Sequence, residues 1–236
     1  MLKLLRGMKF TCLLSALLSL NAIRMMTVDD SSDGFIIHVL GAVLLTTAML
    51  SLCVDTWSRR VALCLGVPAI GFSLARCFFP PHVEGWVTMA STASILIFLV
   101  FIIVVILQIL MTQSVATWDS IAGAFCGYVL IGIVFAEAYC LLDILAPDSY
   151  RMGTVSTEQL DDPTQRFMML EYFSFTTLTT LGFGDVIPST PVSRGLAIWE
   201  VVCGQFYLAV LVAGLVNLRG GQAATVPTLV EEGTAD

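Results

Sequence analysis

The feature that most constrains this chain is a series of long apolar segments that carry almost no charge. One of them, residues 86–111, contains no charged residue at all. A helix needs about 20 apolar residues to cross the hydrocarbon core of a bilayer, and only helices or closed barrels satisfy their backbone hydrogen bonds there. The apolar residues run continuously rather than alternating, which favours helices over strands. The sequence therefore predicts an all-α membrane protein.

Composition agrees with a membrane protein and argues against several other classes. Hydrophobic residues make up 57% of the chain and charged residues 12%, whereas soluble domains carry about 25% charged residues. The net charge of −7 argues against nucleic acid as a partner, so membrane lipids are the expected partners. The seven cysteines form no Cys-x-x-Cys pair, and no catalytic constellation is visible. We therefore expect neither an enzyme nor a bound cofactor.

Six membrane spans can be drawn along the sequence. They cover residues 8–27, 35–54, 61–79, 86–111, 121–145 and 192–218. Residues 1–22 could instead be a signal peptide, because basic residues precede an apolar core. Arg59 and Arg60 lie between the second and third spans, and the positive-inside rule places such short loops in the cytoplasm. Both termini are then cytoplasmic, and the segment between the fifth and sixth spans faces the outer side of the plasma or inner membrane.

A glycine-containing peptide, residues 179–185, lies between the fifth and sixth spans and reads TTLGFGD. Gly182 and Gly184 can adopt backbone angles that other residues avoid, and this freedom lets consecutive carbonyl oxygens point toward one axis. Rings of such carbonyls replace the hydration shell of a potassium ion. The alternative, a glycine turn between two packed helices, leaves the threonines and Asp185 unexplained.

This peptide resembles the selectivity filter of tetrameric potassium channels, whose common form reads Thr-Val-Gly-Tyr-Gly-Asp. The resemblance is specific over residues 162–218, and upstream of residue 121 it covers only the number of spans. It implies six transmembrane helices, with a re-entrant pore helix and a filter loop between the fifth and the sixth. One filter per chain implies a homotetramer around a pore. Potassium ions are the implied permeant ligands, and the implied filter residues, of which the first four would bind the ions, are Thr180, Leu181, Gly182, Phe183, Gly184 and Asp185.

The resemblance also implies residues that support the filter. A pore helix would begin at Asp162 and Pro163, since Asp caps free amides and Pro suits the first helical position. The residues that brace the filter from behind would be Tyr172, Phe173 and Thr176. Leu181 and Phe183 stand where the family commonly has Val and Tyr. Loss of the tyrosine hydroxyl predicts a filter that inactivates more readily.

Three residues in the flanking spans have alternative interpretations. By resemblance to voltage-gated potassium channels, Glu137 corresponds to a glutamate that hydrogen-bonds the backbone near the start of the inner helix, here residues 191–193. The alternative is an interfacial carboxylate whose side chain reaches solvent. Glu200 is either hydrogen-bonded to hydroxyl groups of the pore helix or a cation site that lines the pore. Gly204 aligns with the hinge glycine of inner helices, although small residues also allow close helix packing in membranes.

The resemblance does not extend to a voltage sensor. The fourth span of voltage-gated relatives carries regularly spaced arginines, whereas residues 86–111 have no charge to move in the membrane field. We expect a four-span membrane domain at residues 1–117, a pore domain at 118–219 and a disordered cytoplasmic tail at 220–236. The expected function is passive, potassium-selective conduction without a charged voltage sensor. A weakly selective cation channel and a non-conducting regulatory subunit are the alternatives.

Overall fold

The computed structural model describes residues 9–26, 41, 56–75, 81–113, 117–153 and 163–223. Six α-helices and two short strands lie within these ranges. They are α1 (Lys9–Met26), α2 (Thr56–Ala75), α3 (Pro81–Thr112), α4 (Trp118–Leu145), β1 (Tyr150–Met152), α5 (Pro163–Leu178), β2 (Val186–Pro188) and α6 (Pro191–Ala223). The predicted second span, residues 35–54, lies outside the described residues apart from residue 41, and so do residues 224–236 of the predicted tail.

Three of the helices are long and apolar enough to cross a membrane. The crossing stretches are Gly85–Thr112 in α3, Trp118–Leu145 in α4 and Pro191–Leu211 in α6, and they coincide with the predicted fourth, fifth and sixth spans. α3 is apolar on its exposed side as well as its buried side, since Ile97 and Val104 are exposed. A helix that is hydrophobic all round is either buried or faces lipid. The structure therefore agrees with an all-α membrane protein.

The helices extend beyond the apolar segments that predicted them. α2 begins at Thr56 and includes Arg59, which precedes the predicted third span. α6 continues to Ala223 and so includes the first residues of the segment predicted as a disordered tail. Hydropathy marks only the stretch that lies in lipid, whereas backbone hydrogen bonding can continue a helix into the polar interface.

α4 is the central helix of the fold, because it contacts α1, α3, α5 and α6. Part of α4 shares an apolar core with α1 and α3. Buried members of this core are Leu13, Leu17, Phe98, Ile102, Ile106, Cys126 and Leu130. Gly123 lets α1 approach α4 closely, since a Cβ added there would lie 2.8 Å from the ring of Phe10. α4 thus joins the N-terminal helices to the segment that follows it.

Asp119, in the first turn of α4, caps the start of α1. Its Oδ1 accepts the backbone amides of Phe10 and Thr11 at 3.1 and 3.0 Å, and the Thr11 hydroxyl at 3.0 Å. A carboxylate here satisfies free amides and complements the positive end of the helix dipole. α4 has its own capping box, formed by Thr117 and Ser120. The first turns of α1 and α4 therefore meet at one end of the bundle.

The two strands pair across α5, one before it in the chain and one after it. They are antiparallel, and their register pairs Tyr150 with Pro188 and Met152 with Val186. Tyr150 is buried, and its ring centroid lies 5.4 Å from that of Tyr139 in α4. The sheet therefore fixes the chain on both sides of α5 against the central helix.

Candidate functional site

α5 leads directly into the peptide of residues 179–185. The helix begins at Pro163, where the fixed φ of proline suits the first helical position. Its last turn is closed by the Thr176 carbonyl, which accepts the amides of Leu181 and Gly182 at 2.8 and 3.2 Å. Carbonyls at a helix C-terminus otherwise lack backbone partners. These two bonds therefore attach the peptide to the end of the helix.

The backbone of this peptide alternates between positive and negative φ. Thr180 has φ 61°, Gly182 has 54° and Gly184 has 80°, while Leu181 and Phe183 are not in the positive-φ region. Glycine adopts positive φ readily, but threonine does so rarely. A non-glycine residue in this region is held there by its surroundings, and such residues cluster at functional sites.

Backbone carbonyls, threonine hydroxyls and the Asp185 carboxylate are the oxygen groups that this peptide could offer to a cation. Within the part of the chain that the structure describes, no group of three or more His, Cys, Asp or Glu could hold a metal ion. Leu181 and Phe183 are 62% and 68% exposed. A Cβ added at Gly182 or Gly184 would have open space around it. The peptide therefore lies uncovered on the surface of the single chain.

Tyr172 connects α5 to the far end of the peptide. Its ring is stacked on that of Phe183, with centroids 6.4 Å apart and planes inclined by 2°. A hydrogen bond to the Asp185 carboxylate raises the pKa of Tyr172. Asp185 Oδ1 also accepts the amide of Val186 at 3.0 Å. Tyr172 and Asp185, predicted near the filter, are thus in contact with each other, and Tyr172 also contacts the residue between the two glycines.

Phe173 and Thr176, the other predicted supporting residues of α5, point into the protein. Phe173 is buried, and its ring centroid lies 5.1 Å from that of Tyr139 and 5.8 Å from that of Tyr150. The Thr176 hydroxyl donates to the Phe173 carbonyl at 2.9 Å. The face of α5 that carries these residues packs against α4 and β1, so the peptide is attached to a buried support.

β1 and β2 extend this support to the segment after the peptide. The Gly153 amide donates to the Asp185 carbonyl at 2.9 Å, and the Ser189 amide donates to the Ser149 carbonyl at 2.8 Å. These bonds continue the strand pairing at both ends. Sequence reasoning missed β1, because a three-residue strand is too short to show a periodic pattern.

Glu200 is completely buried in α6 and lies between α4 and α5. Its carboxyl group accepts a hydrogen bond from the Tyr139 hydroxyl and contacts the Ser174 hydroxyl. Of the two interpretations of Glu200, the contact with Ser174 agrees with hydrogen bonding to hydroxyl groups of α5, the predicted pore helix. Ser174 and Tyr139 were not singled out in the sequence, because nothing in their own neighbourhoods indicates a shared partner on α6.

Glu137 is also buried, and its predicted tie to residues 191–193 stays a prediction. The start of α6 has a capping arrangement of its own. The Ser193 amide donates to the Thr190 hydroxyl at 3.2 Å, and the Thr190 amide donates to the Ser193 hydroxyl at 3.1 Å. This reciprocal pair satisfies two free amides at the start of α6.

Gly204 packs against the end of α5. A Cβ added there would lie 2.5 Å from Leu178 Cδ1 and 3.5 Å from the Leu178 carbonyl oxygen. α6 is continuous from Pro191 to Ala223 through this position. The geometry therefore favours close packing over a hinge as the reason for a glycine here.

Arg166 joins the start of α5 to the end of α4. Its guanidinium donates two hydrogen bonds to the Asp143 carboxylate, one of them 2.9 Å long from Nη2 to Oδ1. Hydrogen bonding to Asp143 raises the pKa of Arg166, so the guanidinium stays charged. This ion pair could not be predicted from the sequence, since the two residues are 23 positions apart and neither belongs to a motif.

The site lies within a segment that matches a known family. A family model described as an ion channel matches residues 148–218. No curated protein and no solved structure matches the chain. The matched range includes β1, α5, the peptide 179–185 and most of α6. It supports an ion channel of the potassium-channel type, a membrane protein that transports ions rather than catalysing a reaction.

Proposed function

We propose that this chain is the subunit of a homotetrameric, potassium-selective channel that conducts passively through residues 180–184. The observation that carries the proposal is the alternating sign of φ at Thr180, Gly182 and Gly184. It occurs directly after α5 and inside the segment that matches an ion-channel family. The proposed ion ligands are the backbone carbonyls of Thr180, Leu181, Gly182 and Phe183, together with the Thr180 hydroxyl.

Alternating backbone handedness is the conformation that conduction by carbonyls requires. In an ordinary strand, successive carbonyls point to opposite sides. When left- and right-handed residues alternate, successive peptide groups turn to the same side, and a column of oxygens results. Such a column offers a dehydrated potassium ion the ligands that it had in water. The signs of φ in the peptide support this alignment.

Four copies are proposed because one peptide surrounds an ion on one side only. A single chain supplies one carbonyl at each level, whereas the ring that replaces hydration water needs several. Closed rings of identical chains are the usual symmetry of such assemblies. The exposure of Leu181 and Phe183 supports a surface that other copies cover. A non-conducting regulatory subunit would not need the left-handed Thr180.

The proposed topology has six spans and cytoplasmic termini. Asp119 brings the first turns of α1 and α4 together, which supports a topology in which both helices begin on the same side of the membrane. When two helices of one chain begin on the same side, the chain crosses the membrane an even number of times from the start of the first helix to the start of the second. α1, α2 and α3 would supply three crossings, and the predicted span at residues 35–54 would supply the fourth. Arg59 and Arg60 then place this side in the cytoplasm.

Voltage gating by moving charges is not part of the proposal. α3 occupies the position of the fourth span, and residues 86–111 within it have no charge. Opening that depends steeply on voltage requires charges that cross the membrane field. We therefore propose that the pore opens without a charged sensor.

Potassium flux from purified protein in liposomes tests the proposal. Gly182→Ala and Gly85→Ala are a matched pair, because an added Cβ has open space at both sites and only Gly182 has positive φ. We expect Gly182→Ala to reduce the flux by about tenfold or more, and Gly85→Ala to conduct like the unmodified protein. Equal flux from both variants would contradict the proposed filter.

Two further results separate the alternatives. In mixed sodium and potassium gradients, a reversal potential that follows potassium supports selectivity, whereas one that follows both ions indicates a weakly selective cation channel. Absence of flux from intact tetramers of the unmodified protein would indicate a regulatory subunit.

A further inference from the structure

We propose that Glu200 is held in its protonated, neutral form, and that its proton completes a chain of hydrogen bonds that positions α5 between α4 and α6. The protonation state is inferred from contacts alone. Its consequence for conduction rests on the proposed channel function. No motif in the sequence indicates this role.

The carboxyl group has two hydroxyl neighbours and no exposure to solvent. Glu200 is 0% exposed. Its Oε2 accepts the Tyr139 hydroxyl, and its Oε1 lies 2.5 Å from Ser174 Oγ. Ser174 Oγ also lies 2.7 Å from the carbonyl oxygen of Gly132. Three oxygen-to-oxygen contacts therefore connect four groups, and each contact needs one hydrogen.

The number of hydrogens available for these three contacts indicates the protonation state of Glu200. Ser174 and Tyr139 each have one hydroxyl hydrogen, and the Gly132 carbonyl can only accept. If Glu200 were ionised, only the two hydroxyl hydrogens would be available for the three oxygen-to-oxygen contacts. The Ser174 oxygen would then lie close to either the Gly132 carbonyl or the Glu200 carboxylate with no hydrogen between the two oxygens. If Glu200 is protonated, Tyr139 donates to Glu200, Glu200 donates to Ser174 and Ser174 donates to Gly132. Every contact is then a hydrogen bond.

The surroundings favour the neutral form for an independent reason. A buried carboxylate is costly unless a cation or several donors compensate it. Within the described ranges, the ion pair found is Arg166 with Asp143, which does not include Glu200. The titratable side chains that interact with Glu200 are Tyr128, Tyr139 and Tyr150. All three are neutral acids and supply no positive charge.

The chain of hydrogen bonds connects three helices just behind the peptide. Gly132 and Tyr139 belong to α4, Ser174 to α5 and Glu200 to α6. Ser174 lies two residues before Thr176, whose carbonyl holds the amides of the peptide. One helical turn after Glu200, Gly204 contacts the last residue of α5. Glu200 therefore acts through Ser174 to fix the depth and rotation of α5, as a positioning residue.

Infrared spectroscopy of the full-length protein in liposomes tests the protonation. At neutral pH, the difference between the unmodified protein and Glu200→Gln should contain the carbonyl stretching band of a protonated carboxylic acid. Other buried acids such as Asp143 cancel in this difference. No such band would overturn the proposal. Ser174→Ala provides a second readout that needs no Gln variant: the band should move, because Glu200 loses its acceptor, and a band that does not move would also overturn it.

Flux tests the positioning role. In Glu200→Gln, the amide NH₂ can donate to Ser174 while the amide oxygen accepts from Tyr139, so we expect near-normal potassium flux. In Glu200→Ala, both hydroxyl groups lose their partner, and we expect flux per tetramer to fall by about tenfold. Equal flux from both variants would contradict the positioning role. If the unmodified protein shows the infrared band but no potassium flux, only the proposed channel function is contradicted. If it shows potassium flux but no infrared band, only the proposed protonation of Glu200 is contradicted.

Discussion

In the helices before residue 113, neighbouring elements meet mainly through apolar side chains, with Leu13, Leu17 and Phe98 in one buried core. In the segment that matches an ion channel, polar contacts are added to the apolar packing: Tyr172 with Asp185, and Glu200 with Ser174. Apolar packing in lipid gives little directional preference, because lipid tails are as apolar as leucine. Hydrogen bonds require a particular distance and direction. The contrast indicates that the N-terminal helices require close side-chain packing, whereas the segment that matches an ion channel requires defined distances and directions between its groups.

The largest expected loss of stability comes from the apolar region. Leu13→Ala removes a fully buried side chain and should lower the free energy of unfolding by about 2–3 kcal/mol. The ratio of potassium to sodium permeability should not change, because α1 packs against α4 whereas the peptide is attached to the end of α5. Thermal denaturation and reversal potentials measure the two effects. Leu18→Ala is the control, since Leu18 lies on the same helix and is 48% exposed.

A change in selectivity caused by Leu13→Ala, without a similar change in Leu18→Ala, would break the comparison. It would mean that packing of the N-terminal helices also sets the geometry of the filter.

A smaller effect is expected where α6 meets the end of α5. Gly204→Ala places a Cβ against Leu178, and overpacking of this kind costs about 1–3 kcal/mol. Gly214→Ala is the matched control, because its Cβ has open space and replacing glycine in a helix gains about 1 kcal/mol. We expect reduced flux and a lower melting temperature for Gly204→Ala only.

Shortening Leu178 separates packing from a hinge at Gly204. If close packing is the reason for the glycine, the double variant Gly204→Ala with Leu178→Ala should recover flux. A hinge would not be restored by space at Leu178, so a double variant as impaired as Gly204→Ala would contradict the packing interpretation.

The smallest effect concerns a single hydroxyl group beside the peptide. Tyr172→Phe removes the hydrogen bond to Asp185 but keeps the ring stacked on Phe183. We expect current to decay a few-fold faster in Tyr172→Phe. Phe183→Tyr, which adds a hydroxyl at the neighbouring ring, should slow the decay. Identical decay in both variants would show that hydroxyl groups do not limit the lifetime of the open filter.

The sequence was sufficient for features that local chemistry determines. Long apolar stretches predicted α3, α4 and α6, and the proline at position 163 predicted the start of α5. The glycines at 182 and 184 predicted left-handed backbone, which the structure contains. The left-handed Thr180 was not predicted, because threonine has no intrinsic preference for that region.

Features that depend on residues far apart in the sequence could not be predicted from it. Whether Glu200 lines a pore or is buried depends on Ser174 and Tyr139, which lie on two other helices. The pairing of β1 with the strand after the filter, and the Arg166–Asp143 pair, likewise depend on how the helices pack. A sequence contains these residues but gives no distance between them.

The cap on α1 has a consequence for how the protein is made. Asp119 is 108 and 109 residues away from the amides it satisfies, so α1 leaves the ribosome long before its cap has been synthesised. Domains generally form from the N-terminus during synthesis, but here the first helix cannot dock until the central one arrives. We therefore expect truncated nascent chains that lack α4 to hold α1 loosely in the bilayer.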